Sequence, residues 1–335
     1  DGAGLGSTAA GTVISNGASL AIGVAVGTEA LTLNGPGSAA YGFGALYSFS
    51  GPNSWTGPIT LASDSVIEVN GSTFDLSGVI SGPGDFTKVG GGTLIFSGAA
   101  GNNYTGNTFV QEGTLELGKV LAIQSSASLV IGDGIGGAIA DVVRYTANNC
   151  INTSVPISID ETGLLDLNGF SDTVGALTLL GGDITTGAGT LTMNNNLTAT
   201  YRGVGDTARI LGNLALGAST RTFTVTNTPG LGAADLFVLA AVSGTGGIIK
   251  TGDGLMVLSA SNSFSGAVTV NDGDLDLQDD FAAGTTSGGV TVNGDATLRL
   301  FGNIHIGAEA LTLNSTATSG TLNSRIVSNS WAGPV

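Results

Sequence analysis

Two segments of this chain, 81–118 and 243–278, repeat one arrangement of apolar residues and glycines. Lys88 in the first corresponds to Lys250 in the second, and the apolar residues and most turn glycines that follow also coincide once a short deletion is allowed. In a repeat of this kind, each unit buries its apolar face against the next unit. The repetition therefore restricts the chain to architectures built from similar units along the sequence.

A longer period is superimposed on this one. GTEALTLN at 27–34 recurs as GAEALTLN at 307–314, and NSWTGP at 53–58 recurs as NSWAGP at 329–334. The spacing predicts a super-repeat of about 276–280 residues. We therefore expect residues 1–335 to form a single continuous β-solenoid segment, a window of a longer repeat protein.

Short runs of alternating apolar and polar residues fill the chain, bounded by Gly, Asn, Asp or Ser; examples are GTLIFSG at 92–98, GALTLLGG at 175–182 and RTFTVTN at 221–227. Such alternation is typical of strands with one buried face. The chain has 57 glycines in 335 residues, and each Gly in a helix costs about 1 kcal/mol relative to Ala. The sequence therefore predicts an all-β fold with many turns.

A sandwich and a solenoid are the two all-β architectures that accommodate such strands. A sandwich closes into a domain, whereas the similarity here runs along the chain without a linker or a change in composition. Stacked coils can be extended without limit, so the pattern favours a right-handed parallel β-helix (β-solenoid) of short strands. With about 20 residues in each coil, we expect about 15 or more coils.

Charge narrows the choice of partners, since the chain carries 25 acidic and 9 basic residues, a formal charge of −16. Nucleic acids and anionic membranes attract clustered Lys and Arg, but the basic residues here are scattered. No apolar run approaches the length of about 18 residues that a membrane-spanning helix needs. Cys150 is the single cysteine, which excludes an intrachain disulfide. We expect no nucleic-acid partner and no membrane insertion of this segment.

Three stretches carry a resemblance to a known family: GALYSFSGPNSWTGPITL at 44–61, ISGPGDFTKVGGGTLIFSG at 80–98 and NYTGNTFVQEGTLELG at 103–118. They resemble the autotransporter-associated β-strand repeat. Residues 88–115 and 250–275 follow its consensus, with Phe264 and Asp274 as departures in the second copy. The resemblance implies a β-helical passenger region of a large secreted or surface-displayed bacterial protein. It implies no chemistry, because the consensus positions are turn and core positions.

His305 is the single histidine, and we expect its neighbours Ile304 and Ile306 to point inward while its own side chain points to solvent. The sequence pairs it with no nucleophile and no set of zinc ligands. A structural or neutral role is the favoured interpretation.

The stretch 271–280 is the sharpest charge feature, and its carboxylates are of the type that Ca²⁺ prefers: Asp272, Asp274, Asp276, Asp279 and Asp280. Leu275 and Leu277 indicate a strand with Asp274 and Asp276 on its outer face. A solvated face is therefore favoured over a calcium site, which stays the alternative. GDGIGG at 132–137 resembles a calcium-binding nonapeptide repeat only weakly, because it occurs once.

Enzymes that cleave polysaccharides on parallel β-helices use carboxylates on one lateral face. Asp64 with Glu68, or Asp160 with Glu161 and Asp166, supply the residue types, but nothing in their spacing distinguishes them from the other acids. Loops look uniformly short, with the segment 138–162 as the one exception. We assign no catalytic, cofactor-binding or metal-binding residues and expect no enzymatic activity.

The segment 138–162 is the longest without glycine, and Arg144, Tyr145 and Cys150 are its unusual residues. A wider coil is the favoured interpretation of this segment, and a bulged loop is the alternative.

Two further residue types recur with the repeats. Trp55 and Trp331 share the NSW-x-GP frame, which favours a buried corner over a sugar-stacking surface because large aromatics are mostly buried. Lys88 and Lys250 recur in the shorter repeat, and a hydrogen bond to a carbonyl at the coil edge explains them more simply than an anion or carbohydrate site.

These observations predict a structural extracellular β-solenoid on a bacterial outer cell surface, acting as a stalk, a surface fibre or filament, or an adhesin passenger. The alternative is a polysaccharide-binding or polysaccharide-degrading β-helix. Expected partners are further copies, joined end to end through coil edges or by covalent continuation, and a surface polysaccharide or a host or neighbouring cell surface. No cofactor is expected.

Overall fold

The computed structural model describes residues 5, 10–200, 207–227, 234–314, 322–325 and 328–335. Within these residues the chain consists of short strands and turns and contains no helix, so none is long and apolar enough to cross a membrane. The chain divides into two compact units, Asp1–Thr173 and Val174–Val335. Both are built in the same way.

The first unit has two long sheets and a shorter third sheet, all parallel. The strands of its first sheet are Leu20–Ile22, Leu46–Ser48, Ser65–Val69, Phe86–Val89, Thr108–Val110, Leu129–Ile131 and Ile157–Asp160. The strands of its second sheet are Ala25–Val26, Pro52–Trp55, Thr73–Leu76, Thr93–Phe96, Gly113–Leu117, Asp141–Tyr145 and Gly163–Asp166. The third sheet contains Thr12–Ile14, Leu31–Leu33, Ile59–Leu61 and Ile80–Ser81.

The second unit repeats this plan. Its first sheet contains Leu177–Leu180, Leu197–Thr200, Arg221–Thr226, Ile248–Thr251, Val268–Val270, Val290–Asn293 and Leu311–Asn314. Its second sheet contains Asp183–Thr185, Ala208–Leu211, Leu236–Val238, Leu255–Leu258, Asp274–Leu277, Thr297–Phe301 and Leu322–Arg325. The remaining parallel strands are Leu191–Met193, Asn213–Ala215, Ala241–Ser243, His305–Ile306 and Ser330–Trp331.

One element departs from this plan, and the strand Asp172–Val174 lies where the units divide. Gly37–Ser38 and Phe43–Gly44 form a small antiparallel hairpin in the first unit. The expectation of uniformly short loops is therefore wrong at this hairpin.

Neighbouring strands of each long sheet come from successive coils, which defines a parallel β-solenoid of seven coils in each unit, about 14 turns in all. The expected 15 or more coils are not reached because many coils are wider than about 20 residues. The coil that runs from Leu177 to its strand partner Leu197 has the expected width, but the coil from Leu129 to its partner Ile157 is clearly wider. The right-handed sense of the coils stays a prediction.

The core lies between the sheets of each unit, and the alternation read from the sequence fills it. Leu94, Phe96, Leu115 and Leu117 are fully buried, whereas the residues between them are partly exposed. Parallel strands about 4.8 Å apart place the side chains of successive coils directly on one another. Each coil therefore extends the core of the previous one.

The repeated glycines mark places where neighbouring coils touch. A Cβ on Gly106 would lie 2.3 Å from the carbonyl oxygen of Gly84, and a Cβ on Gly266 would lie 2.3 Å from the backbone nitrogen of Gly247. No side chain fits at such distances, so the repeat requires glycine at these turns.

Candidate functional site

The repeated lysines are buried and each one clamps two coils. Lys88 Nζ donates to the carbonyl oxygens of Val89 at 3.1 Å, Gly90 at 2.5 Å and Glu112 at 2.7 Å. The first two carbonyls belong to its own turn, and the third belongs to the next coil. All three N–H donors of the ammonium group are used, which confirms the carbonyl-bonding interpretation.

Lys250 repeats this clamp in the second unit. Its Nζ donates to the carbonyl oxygens of Thr251 at 3.2 Å, Gly252 at 2.6 Å and Asp272 at 3.0 Å. Burial lowers the pKa of both lysines to about 8, and nearby carboxylates, Glu112 for Lys88 and Asp272 for Lys250, oppose that shift. With every donor engaged by backbone, neither lysine is free to bind an anion or a sugar.

A matched pair of buried asparagines, which the sequence analysis missed, acts in the same way. Asn102 donates to the carbonyl oxygen of Ala122 at 2.8 Å and accepts from the backbone N–H of Ile80 at 3.0 Å. Asn262 makes the equivalent bonds to Ala282 and Val242 at 2.7 and 2.8 Å. The sequence signal for this pair was that asparagine occupies equivalent positions in the two repeats, just before Tyr104 and Phe264.

The tryptophans lie in the strands Pro52–Trp55 and Ser330–Trp331, and Trp55 is buried as the sequence indicated. Trp55 is fully buried and its Nε1 donates to the carbonyl oxygen of Glu29 at 2.8 Å. Trp331, which is half-buried, donates to the carbonyl oxygen of Glu309 at 2.7 Å. Because Glu29 and Glu309 also correspond in the long repeat, the super-repeat preserves a specific hydrogen bond. Neither indole is displayed for stacking on a sugar.

His305 points to solvent between buried Ile304 and Ile306, as predicted. Its Nδ1 lies 2.8 Å from Ser330 Oγ, and the carboxylate of Asp280 accepts from the backbone N–H of His305 at 2.5 Å. A catalytic imidazole needs a group that orients its ring, but this carboxylate bonds to the backbone instead. The arrangement is a hydrogen bond between neighbouring coils.

The acidic strand differs from the expected solvated face. Asp276 is only 6% exposed, and Arg299 forms ion pairs with both Asp274 and Asp276, the latter at 3.7 Å. Burial raises the pKa of Asp276 to about 6, opposed by the charge of Arg299. The sequence could not show this, because Arg299 comes from the next coil and is brought opposite Asp276 by strand pairing. Asp272 and Asp280 are exposed, and Asp279 is partly exposed and accepts from the backbone N–H of Phe281 at 2.9 Å.

In the part of the chain that the structure describes, no group of three or more His, Cys, Asp or Glu residues is placed to hold a metal ion. In the GDGIGG segment, Asp133 Oδ1 accepts from the backbone N–H of Ile135 at 2.8 Å. The calcium alternatives therefore gain no support from the geometry.

Four of the carboxylates considered for catalysis, Asp64, Glu68, Asp160 and Asp166, hold backbone or side chains in place. Asp64 accepts from the backbone N–H of Asp85 at 3.0 Å, and Glu68 accepts from the N–H of Gly44 at 2.9 Å. Asp160 accepts from the N–H of its neighbour Glu161 at 2.8 Å. Asp64 and Glu68 lie in one coil, and Asp160 and Asp166 lie in another.

The segment 138–162 lies in one of the wider coils, which confirms the wider-coil interpretation. Arg144 forms an ion pair of 2.9 Å with Asp166 of the next coil. Tyr145 is fully buried. Cys150 is buried as well, its Sγ–H lies 3.2 Å from the carbonyl oxygen of Ala147, and burial raises the pKa of the thiol to about 12. This cysteine is an inert core residue.

An exposed aromatic surface, which the sequence analysis did not single out, lies on the first unit and consists of Tyr41, Phe43, Tyr47 and Phe49. Consecutive ring centroids are 6.4, 4.6 and 5.9 Å apart, and the first three rings are nearly parallel. Tyr41 is 77% exposed, Phe43 39% and Phe49 49%. The available signal was four aromatics within nine residues, at odd-numbered positions between glycines and serines.

Comparisons with known proteins agree with the repeat pattern. The passenger-associated-transport-repeat family matches residues 86–117 and 248–277, which lie within the two segments that the sequence aligned. The adhesin BmaC autotransporter of Brucella suis biovar 1 (strain 1330) is 29% identical over 257 residues, covering 70% of this chain. The match spans 7% of that relative's length. No solved structure gives a significant match.

The fold is a parallel β-solenoid in which each of two repeats carries a lysine clamp. The chain carries two copies of the passenger-associated transport repeat, and it is similar to part of an autotransporter adhesin. The resemblance seen in the sequence is thereby confirmed.

Proposed function

We propose that this chain is a structural section of a bacterial surface passenger, displayed outside the cell, in which a right-handed β-solenoid acts as a stalk, fibre or adhesin scaffold. The observation that carries the proposal is the Lys clamp, which recurs in both passenger repeats and joins the two successive coils within each repeat. The similarity to an adhesin autotransporter supports the location. Right-handed coils are expected because parallel crossover connections almost always have that sense.

The function proposed is mechanical rather than enzymatic. The polar groups considered for chemistry are used to join one coil to the next, as at Lys88, His305 and Arg144. Strand edges at coil ends can pair with further strands, so we propose that copies or further coils join end to end. The net charge of −16 opposes other contacts between copies.

Polysaccharide binding is the second candidate function, and the exposed aromatic surface favours it. Polysaccharide cleavage has no comparable support, since the carboxylates Asp64, Glu68 and Asp166 each have a structural hydrogen bond or ion pair.

Antibodies against the 335-residue chain test the surface location on intact cells of the bacterium that makes it. We expect labelling of intact cells and loss of the label after brief protease treatment. Labelling that requires lysis would contradict the proposal.

A further inference from the structure

The aromatic surface formed by Tyr41, Phe43, Tyr47 and Phe49 occurs in the first copy of the super-repeat and has no counterpart in the second. These residues lie between the recurring motifs at 27–34 and 53–58, and the second copy of the super-repeat has residues 315–328 in that interval. That second interval contains no aromatic residue. The second copy therefore keeps the flanking motifs in a shorter interval without the rings, so the rings are not part of what the super-repeat repeats.

The chain segment that carries the rings contains no charged residue, although the chain as a whole is strongly acidic. No Asp, Glu, Lys, Arg or His occurs from residue 30 to residue 63. The nearest carboxylate considered for chemistry, Glu68, is buried and accepts from the N–H of Gly44 at 2.9 Å and from Asn70 at 2.6 Å. An uncharged ligand meets no repulsion here, whereas an anionic one is opposed by the net charge of the chain.

A concave site adjoins the rings. An open concavity of about 300 Å³ is lined by residues of the hairpin Gly37–Gly44, Phe43 among them, together with Val66 and Val89. Its volume is at the lower end of the range for small-molecule sites. Gly37 has a φ of +110°, and a Cβ there would lie 2.2 Å from the carbonyl oxygen of Phe43, so the hairpin keeps its shape only with glycine.

The area of the aromatic surface favours a narrow ligand over a folded protein partner. Fully buried aromatic side chains contribute about 150–250 Å² each, and these four rings are already partly covered. A stable protein interface needs about 800 Å² from each partner, more than the rings offer. A sugar chain requires only a few ring contacts.

We propose that Tyr41, Phe43, Tyr47 and Phe49, with the adjoining cavity, form a binding site for a neutral polysaccharide. The apolar C–H faces of pyranose rings pack against the aromatic side chains, and the two tyrosine hydroxyls are hydrogen-bond partners for sugar hydroxyls. This proposal names the residues that carry the second candidate function, polysaccharide binding. It does not depend on where the passenger is displayed.

Affinity electrophoresis of the 335-residue chain tests the proposal directly. Native gels contain hydroxyethylcellulose, laminarin, galactomannan or dextran as neutral probes, or polygalacturonate as an anionic probe. The variants are Tyr41→Ala with Phe49→Ala, Tyr41→Phe, and the control Phe281→Ala, which removes a ring that is 61% exposed on the second unit. Circular dichroism melting curves verify that each variant folds.

We expect at least one neutral polysaccharide to retard the wild-type chain, and polygalacturonate to leave it unretarded. The double variant weakens the apparent Kd about tenfold or more, as the loss of two ring contacts requires, whereas Tyr41→Phe and Phe281→Ala retain most of the affinity. The proposal is overturned if no neutral probe retards the chain or if the double variant binds like wild type. Loss of dimers in the double variant by sedimentation velocity, without any polysaccharide binding, would instead assign the surface to a second copy.

Discussion

At the scale of single residues, buried polar groups of this chain act as connectors between coils. Lys88, Asn102 and their counterparts Lys250 and Asn262 satisfy backbone groups of the coil that follows. Buried carbonyls and amides are costly when they lack partners. The repeated polar residues therefore explain how a turn-rich chain with few charges holds its turns in place.

Replacing Lys88 with Met tests the clamp. The substitution conserves much of the side-chain length but leaves the carbonyls of Val89, Gly90 and Glu112 without their donor. We expect a loss of about 3 kcal/mol or more in the free energy of unfolding, since three buried acceptors lose their donor and each unpaired acceptor costs about 1–3 kcal/mol. Urea unfolding monitored by circular dichroism measures it, with Lys250→Met as a replicate of the clamp in the second unit. An unchanged or raised midpoint would show that the clamp is dispensable.

Buried Asp141 predicts a pH dependence. Burial raises the pKa of its carboxyl to about 6, opposed by the hydrogen bond from Thr162. The folded state then binds the proton more tightly than the unfolded state, so the stabilisation from this group is full below about pH 4 and is lost as the pH rises through about 6. In the Asp141→Asn variant, this loss of stability with rising pH is absent.

The melting temperature of Asp141→Asn relative to wild type is therefore expected to increase between pH 4 and pH 7. For the exposed control Asp295→Asn, we expect the difference in melting temperature from wild type to stay constant over this pH range. A difference for Asp141→Asn that is independent of pH would contradict the assignment.

At the scale of the element, the coil is defined by its close contacts at glycine. Gly106→Ala places a methyl group 2.3 Å from the carbonyl oxygen of Gly84. We expect a destabilisation of more than about 2 kcal/mol, measured by chemical unfolding. Gly27→Ala is the matched control, because a Cβ there has nothing within 4 Å. Equal stability of the two variants would mean that the coils are not packed as described.

Much of the coil could be predicted from sequence, because a solenoid places equivalent residues in equivalent surroundings. Alternation located the strands, and recurrence identified the roles of Lys88 and Trp55. Asp276 was missed, since its burial depends on Arg299, which strand pairing brings opposite it from another coil. The aromatic surface was missed because it occurs once in the chain. Comparison of repeats cannot reveal the role of a residue that has no counterpart in the other copy.

At the scale of the whole molecule, the super-repeat preserves atomic detail. The bond from Trp55 to Glu29 in the first unit has its equivalent in the bond from Trp331 to Glu309 in the second. Because stability in such an architecture is nearly a sum over neighbouring coils, further super-repeats can be added without a new core. This property suits a passenger that projects from a surface.

The most direct test of a surface solenoid is cryo-electron microscopy of the native protein that contains this chain. We predict unbranched rods in which parallel strands of successive coils are stacked about 4.8 Å apart, with antibodies against the chain bound along the rod. Globular particles, or antiparallel strands in place of stacked parallel coils, would contradict the account.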